Sequence, residues 1–487
     1  MIGLDGATWE LLQPWIDAGE LPALAVIQRT WAWGELRSSI PYLSPPAWAT
    51  AVTGVNPGKH AIFDFQRKIP GQSVVVNETA ASRRAQPIWN MLRDAGRRSL
   101  VLNVPMTDPP DVMEGQCIAG FPHLDQTGFT YPRELEQTLP DYELDKLEIR
   151  LVPGQEDSLL ASYTRARELR KRIVLDWLAR ERFDLLWAVF TGTDRIQHTF
   201  WMYMDAENPN YDRENAARYG REIHDYWVEQ DRILGEILAK VEPDVTLLVL
   251  SDHGFGPLRY QLQLQNLLRR PDSPLTEKEA NSVYCFDKSD AARLYIARRG
   301  RDDVRAWSIA EAHAVRAKLI DLLSSVTDPR TGQRICAEIY TNEQAFSGVY
   351  AEKGPDLVVV PAPGYFVVEG DRTGENPDAV LVPHASVVSG WHKMNGLFAM
   401  RGPAIRGGRR DREGDTPYSL VDVVPTLLYV LGEPIPEGLD GKIMRGLIDP
   451  AHFSTHPPAT RGLLEEDFRE LSPDEMENLK NLPYIGG

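Results

Sequence analysis

Residues 184–201 read DLLWAVFTGTDRIQHTFW. The unbroken apolar run at its start is the signature of a strand buried on both faces, as in a parallel sheet. A helical stretch follows within three residues. In it Asp194 and His198 stand at i, i+4, so both project from one face and can reach one cation. Two further stretches repeat the design: IGLDG (2–6) ends on Asp5, and VTLLVLSDHG (245–254) ends on Asp252 and His253. The runs SLVLNV (99–104), CIAG (117–120), DLVVVP (356–361) and GLFAM (396–400) also read as buried strands. Helical patterns lie at 9–19, 87–96, 158–181 and 214–241. The alternation predicts an α/β fold with a mostly parallel central sheet and helices on both faces. Ligands of such sheets bind outside the carboxyl ends of the strands, where Asp5, Asp194 and Asp252 all fall.

Two more segments join this set. His392 lies in GWHKMNG (390–396), and Ser44 lies in YLSPPAWATAVTG (42–54), at the start of a predicted helix. Each residue has an ordinary explanation by itself: Asp194 and Ser44 as helix caps, Asp252 in a turn, His392 as a satisfied histidine. Asp5, at a buried strand end between two glycines, is costly unless it is paired or metal-bound. Taken together, three aspartates, three histidines and one hydroxyl suffice to hold two divalent cations around a nucleophile. A mixed N/O donor set suits Zn2+, and three carboxylates among six ligands make Mn2+ the alternative.

Composition narrows the partners. The 487-residue chain carries a formal net charge of −17, which argues against a nucleic-acid-binding surface or a polybasic membrane patch. Two dications would offset about four of those charges locally. Cys117, Cys285 and Cys336 are too few and too irregular for a disulfide framework, and a reducing cytoplasm is the expected compartment. The longest apolar-rich segment, VDVVPTLLYVLG (421–432), is too short to span a membrane and carries Asp422 and Pro425. The few residues before Asp5 are short for a buried strand, so the natural chain is expected to begin further upstream. Residues 1–255 and 351–450 read as one discontinuous catalytic core. The polar stretch 256–350, lacking strong strand runs, reads as an inserted cap. Residues 451–487 read as a tail whose short helix opens at Ser472-Pro473-Asp474-Glu475.

The run SPPAWATAVTGVNPGKHAIFDF (44–65) is similar to the nucleophile segment of the alkaline phosphatase superfamily, in its type I phosphodiesterase/nucleotide pyrophosphatase-like branch. In that branch a Thr or Ser followed by Pro opens a helix ending in Thr-Gly, here Thr53-Gly54, ahead of a P-x-x-H-G-I-like turn, here Pro57 to Ile62 with Ala61 for the glycine. The order Asp5, Ser44, Asp194-x3-His198, Asp252-His253, His392 matches the branch, as do GWHKMNGLFAMRGPAI and SLVDVVPTLLYVLGEPIPEGLDGK (419–442). The resemblance implies an alkaline-phosphatase-like core. It places Asp194, His198 and His392 on one metal, and Asp5, Asp252 and His253 on the other, with Ser44 bound to it. It implies a phosphodiesterase or phosphatase that works through a phospho-seryl intermediate on a small phosphorylated or phosphodiester substrate.

Alternatives within that resemblance are a phosphomutase, for which 256–350 would be the retaining cap, or a phospho-headgroup transferase. A non-enzymatic protein with a relic site is disfavoured because all seven positions are filled. One departure concerns substrate. Diesterase members place a phosphate-contacting Asn three residues after the nucleophile, where this chain has Ala47. Lys393, Arg195 and Lys59 are the candidate replacements. Trp48 stands where a sulfatase would need Arg, which argues against a formylglycine sulfatase.

Overall fold

The computed structural model describes residues 1–68, 75–123, 126–145, 151–286, 292–302, 306–370, 379–411 and 416–463. A ten-stranded sheet forms its centre. Seven of its strands are labelled here: β1 (Ile2–Leu4), β2 (Ala32–Arg37), β3 (Ser99–Leu102), β4 (Gly115–Ile118), β5 (Leu185–Phe190), β6 (Leu247–Leu250) and β7 (Asn395–Arg401). Their order is β2-β7-β6-β1-β5-β3-β4. The five from β6 to β4 are parallel to one another. β7 runs antiparallel to both β6 and β2. Two-residue strands at Arg409–Arg410 and Tyr418–Ser419 pair with β2, and Thr130–Tyr131 pairs with β4.

Every residue of β1, β3, β5 and β6 is buried, as continuous apolar runs require. One face packs against helices Trp9–Asp17, Pro22–Thr30, Glu156–Arg180, Gly192–Met204 and Glu222–Leu238. The opposite face packs against Ser44–Thr53, Ile88–Arg93 and Val423–Val430. The helix expected over 214–241 is two, Arg213–Tyr219 and Glu222–Leu238, separated at Gly220. The turn leading into helix Val423–Val430 opens on a capping box, with Ser419 and Asp422 exchanging reciprocal bonds.

Two strand readings differ. Ala32–Arg37 was not anticipated; its burial alternates residue by residue, which lacks the continuous apolar signal of its neighbours. Leu357–Pro361 is a strand, but it belongs to a second, antiparallel sheet of order Val283–Tyr284, Arg293–Ile296, Leu357–Pro361, Cys336–Thr341. An apolar run reports burial and does not say in which sheet. The stretch 256–350 therefore contains strands, and with helix Ile309–Ser325 they enclose a core of their own around Leu294, Leu319, Leu323 and Val359. The helix expected at 472–475 lies outside the described residues.

A third, small sheet reaches the catalytic edge. The strand Gly254–Gln263 leaves the end of β6 and pairs antiparallel with Gly390–Lys393, opposing Phe255 to His392. Close packing beneath the site sets a limit on Gly3 in β1. A Cβ there would meet Trp48 at 2.6 Å and Val189 at 2.8 Å. Gly3→Ala is expected to destabilise the fold by ~1–3 kcal/mol, read from urea unfolding.

Candidate active site

Helix α1 (Ser44–Thr53) starts on the candidate nucleophile, with Pro45 and Pro46 in its first turn and Gly54 closing it in the left-handed region. Helix α2 (Gly192–Met204) begins directly after β5 and carries Asp194 and His198 on adjacent turns. Asp5 directly follows β1, Asp252 and His253 follow β6, and the strand Gly390–Lys393 carries His392. All seven sequence-derived residues meet at the carboxyl edge of the central sheet, and all are buried.

Two sets of donor atoms result. Asp194 Oδ1 lies 3.3 Å from His198 Nε2 and 3.3 Å from His392 Nε2. The two imidazole nitrogens are themselves 3.0 Å apart. In the other set His253 Nε2 lies 3.2 Å from Asp252 Oδ2, 3.7 Å from Asp5 Oδ1 and 3.3 Å from Ser44 Oγ. The His253 ring also stacks on His392 with centroids 3.8 Å apart, so the sets adjoin. Asp194, His253 and His392 likewise offer atoms within 4.8 Å of one another.

The donors are turned inward by polar groups outside the two sets. Trp48 Nε1 donates to Asp5 Oδ2 at 3.1 Å, and the Thr193 hydroxyl donates to the Asp5 carbonyl at 2.6 Å. Gln197 Nε2 donates to the Gly6 carbonyl at 3.0 Å. The Ala7 N–H donates to Ser251 Oγ, whose hydroxyl donates to the His253 carbonyl at 2.6 Å. Gly6 has φ +65°, and a Cβ there would stand 2.9 Å from the Phe255 ring and 3.3 Å from Asp194 Cα. The turn after β1 thus needs glycine for both conformation and space. Sequence reading missed these supports. Thr193 and Gln197 repeat the i, i+4 spacing of Asp194 and His198 one residue earlier, a signal that was available. Trp48 gave none.

The arrangement fits cations. Asp5 Oδ1, Asp194 Oδ1 and Asp252 Oδ2 are buried and accept no hydrogen bond among the described residues. Burial, then the charges of Asp252 and Asp194, push the Asp5 carboxyl well above its usual range. Burial and Asp194 do the same to Asp252. At Asp194 burial also pushes up, but His198 and His392 outweigh it and hold the carboxyl well below its usual range. Burial and the His392 charge push the His253 imidazole well down, keeping it neutral, as a metal ligand must be. Three inward carboxylates without enough donors are the environment that dications relieve.

The three candidate phosphate contacts are placed differently. Lys59 Nζ donates to the Gly438 carbonyl at 2.8 Å and pairs with Asp440, so it ties the 57–60 turn to the turn at 438–440. Lys393 pairs with Glu10 and lines a cleft of about 290 Å³ with Tyr42, Tyr365, Trp391 and His392. Arg195 is buried on α2, with its guanidinium over the Phe121 ring.

Fold and site together define a metal-dependent hydrolase of phosphoester bonds in the alkaline phosphatase superfamily. The profile of the type I phosphodiesterase/nucleotide pyrophosphatase family matches residues 1–392, and the chain belongs to that family. Among solved structures, murine ectonucleotide pyrophosphatase/phosphodiesterase 5 is 15% identical, with a TM-score of 0.55 over 92% of this chain and 99% of that one. Phosphonoacetate hydrolase from Sinorhizobium meliloti 1021, in complex with phosphonoformate, is 16% identical, with a TM-score of 0.55 over 87% of this chain and 93% of that one. At such identities the likeness is one of fold. Among curated proteins none matches the sequence. No helix of the described residues is long and apolar enough to cross a membrane.

Trp48→Phe keeps the ring packing and removes the donor to Asp5. It is expected to lower stability by ~1–3 kcal/mol in urea unfolding, the usual cost of an unpaired buried acceptor. An unchanged midpoint would show that the bond does not matter.

Proposed function

We propose that this enzyme hydrolyses a small phosphate ester using two divalent cations and a phospho-seryl intermediate on Ser44. The observation that carries this reading is the crowding of three unbonded carboxylate oxygens and three imidazoles around a single buried hydroxyl. Asp194, His198 and His392 would hold one cation. Asp5, Asp252 and His253 would hold the other, beside Ser44. Three nitrogen and three carboxylate ligands favour zinc, with manganese as the alternative. Bound there, such cations supply Lewis acidity that favours the ionised hydroxyl and offsets charge on the phosphoryl group.

The remaining roles fall to the chain itself. Ser44 is the first residue of α1, so its Oγ is held at a fixed helix end and not on a mobile loop. Its oxygen forms a bond to phosphorus as the bond to the ester oxygen breaks, and the departing oxygen takes up a proton from solvent. Water then attacks the phosphoserine, the Ser44–phosphorus bond breaks, and the hydroxyl is restored. Trp48, Thr193 and Ser251 hold the carboxylate- and imidazole-bearing turns in place through both steps.

Ser44→Ala is expected to abolish turnover of an aryl phosphate ester, by more than ~10³-fold, while elemental analysis still finds about two cations per chain. Retained turnover would remove Ser44 as the nucleophile. His392→Ala is expected to lower cation content from about two towards about one. Full occupancy in that variant would refute the division of ligands.

A further inference from the structure

Helix α2 carries two of the seven site residues, yet its start is not held in the usual way. Thr191 is its N-cap, and a threonine there ordinarily accepts from an N–H of the first turn. Here the Thr191 side chain caps nothing. Its hydroxyl donates instead to Asp145 Oδ2 at 2.5 Å. Asp145 is buried, and it belongs to the loop before helix Glu156–Arg180, far from α2 in sequence.

That carboxylate is a meeting point. Its Oδ1 accepts from Arg170 Nη2 at 2.5 Å, and its Oδ2 also accepts from Asn103 Nδ2 at 3.0 Å. Asn103 directly follows β3 with φ +56°, in the left-handed region that asparagine tolerates. Its Nδ2 also reaches the Val189 carbonyl of β5 at 3.2 Å, and its Oδ1 accepts from Arg170 at 3.2 Å. The ends of β3 and β5, helix Glu156–Arg180 and the loop at 145 are therefore tied together at one group. Burial pushes the Asp145 carboxyl up, but Arg170, then Arg195, outweigh it and hold it down at about 2, so it stays charged.

An ion pair this deeply buried is a weak source of stability, since apolar side chains filling the same space commonly do as well. What it supplies is a fixed position. A carboxylate beside the first turn of a helix also suits the positive end of the helix dipole. Asp194 stands three residues after Thr191, and His198 one further turn along α2. Asp194 Oδ1 accepts no hydrogen bond among the described residues, so the helix that carries it decides where it stands. The Thr193 hydroxyl ties that first turn to the Asp5 carbonyl, and Asp145 is its second anchor. The Asp5, Asp252 and His253 set has supports of its own in Trp48 and Ser251.

We infer that Asp145, braced by Arg170 and Asn103, is a positioning residue for one of the two cations: by holding Thr191 it fixes the start of α2, and with it Asp194 and His198. The inference rests on the two-cation reading above. Groups behind metal ligands set ligand geometry, and their loss weakens the metal without touching it.

The test is zinc binding to the full chain, with turnover left aside. Metal-free parent, Asp145→Asn, Thr191→Val and Thr191→Ser are titrated with zinc against a competing chelator, and their urea midpoints are measured without metal. Asp145→Asn keeps the shape and removes the charge, and Thr191→Val keeps the shape and removes the hydroxyl. Each is expected to weaken one of the two zinc steps ~10–100-fold and to leave the other unchanged. Thr191→Ser keeps the hydroxyl and should bind zinc as the parent does. In a His392→Ala background, where the affected site is already impaired, adding Asp145→Asn should not alter the remaining step. Unchanged zinc binding in Thr191→Val, equal weakening of both steps, or zinc loss in Thr191→Ser as large as in Thr191→Val would overturn the inference. Should Asp145→Asn fail to fold, the two Thr191 variants decide. A parent that binds fewer than two zinc ions would refute the two-cation reading and the inference with it. A parent that holds two but cleaves no phosphate ester would refute the reaction alone and leave the zinc comparison decisive.

Discussion

Three carboxylates with the same charge are buried together, and the rest of the active edge is arranged around that constraint. Asp5, Asp194 and Asp252 stand at the ends of three adjacent parallel strands, so their proximity follows from sheet order and not from any flexible loop. Without counter-charge such a grouping is costly. Three imidazoles, from α2, from the turn after β6 and from the strand Gly390–Lys393 paired with Gly254–Gln263, close around the acids. Inward-facing oxygens are left over for cations.

What keeps the acids in place is a layer of modest hydrogen bonds. Thr193 and Gln197 tie α2 to the turn after β1, and Ser251 ties that turn to the end of β6. Trp48 joins the nucleophile helix to Asp5 from the opposite side of the sheet. Each catalytic element is therefore fastened to its neighbour through side chains that take no part in the chemistry.

Much of this was legible before any coordinates. The strands β1, β3, β5 and β6 are continuous apolar runs, and such runs are hard to mistake for anything but buried segments. The i, i+4 pair of α2, the acids and His253 at strand ends, His392 in GWHKMNG and Ser44 at a helix start supplied six donors and one hydroxyl, and the structure brings all seven together. Ala32–Arg37 escaped because its faces alternate. Leu357–Pro361 was assigned to the wrong sheet because hydrophobicity is blind to pairing partners. The second sheet within 256–350 was missed for a related reason: Val283–Tyr284 and Arg293–Ile296 are too short to give a strong apolar run, and Cys336–Thr341 is mostly exposed or half-buried.

The sequence by itself determined which residue types were available and where they fell relative to strand ends and helix starts, because those properties are local and periodic. Only the tertiary structure decided which of them touch. Lys59, Lys393 and Arg195 are indistinguishable as cations in a string of letters. Folding gives the first to Asp440 and the second to Glu10 across more than three hundred residues. It sets the third over the Phe121 ring, within the field of Asp145. Ion pairing at such separations depends on how the chain closes on itself, and no local pattern encodes it.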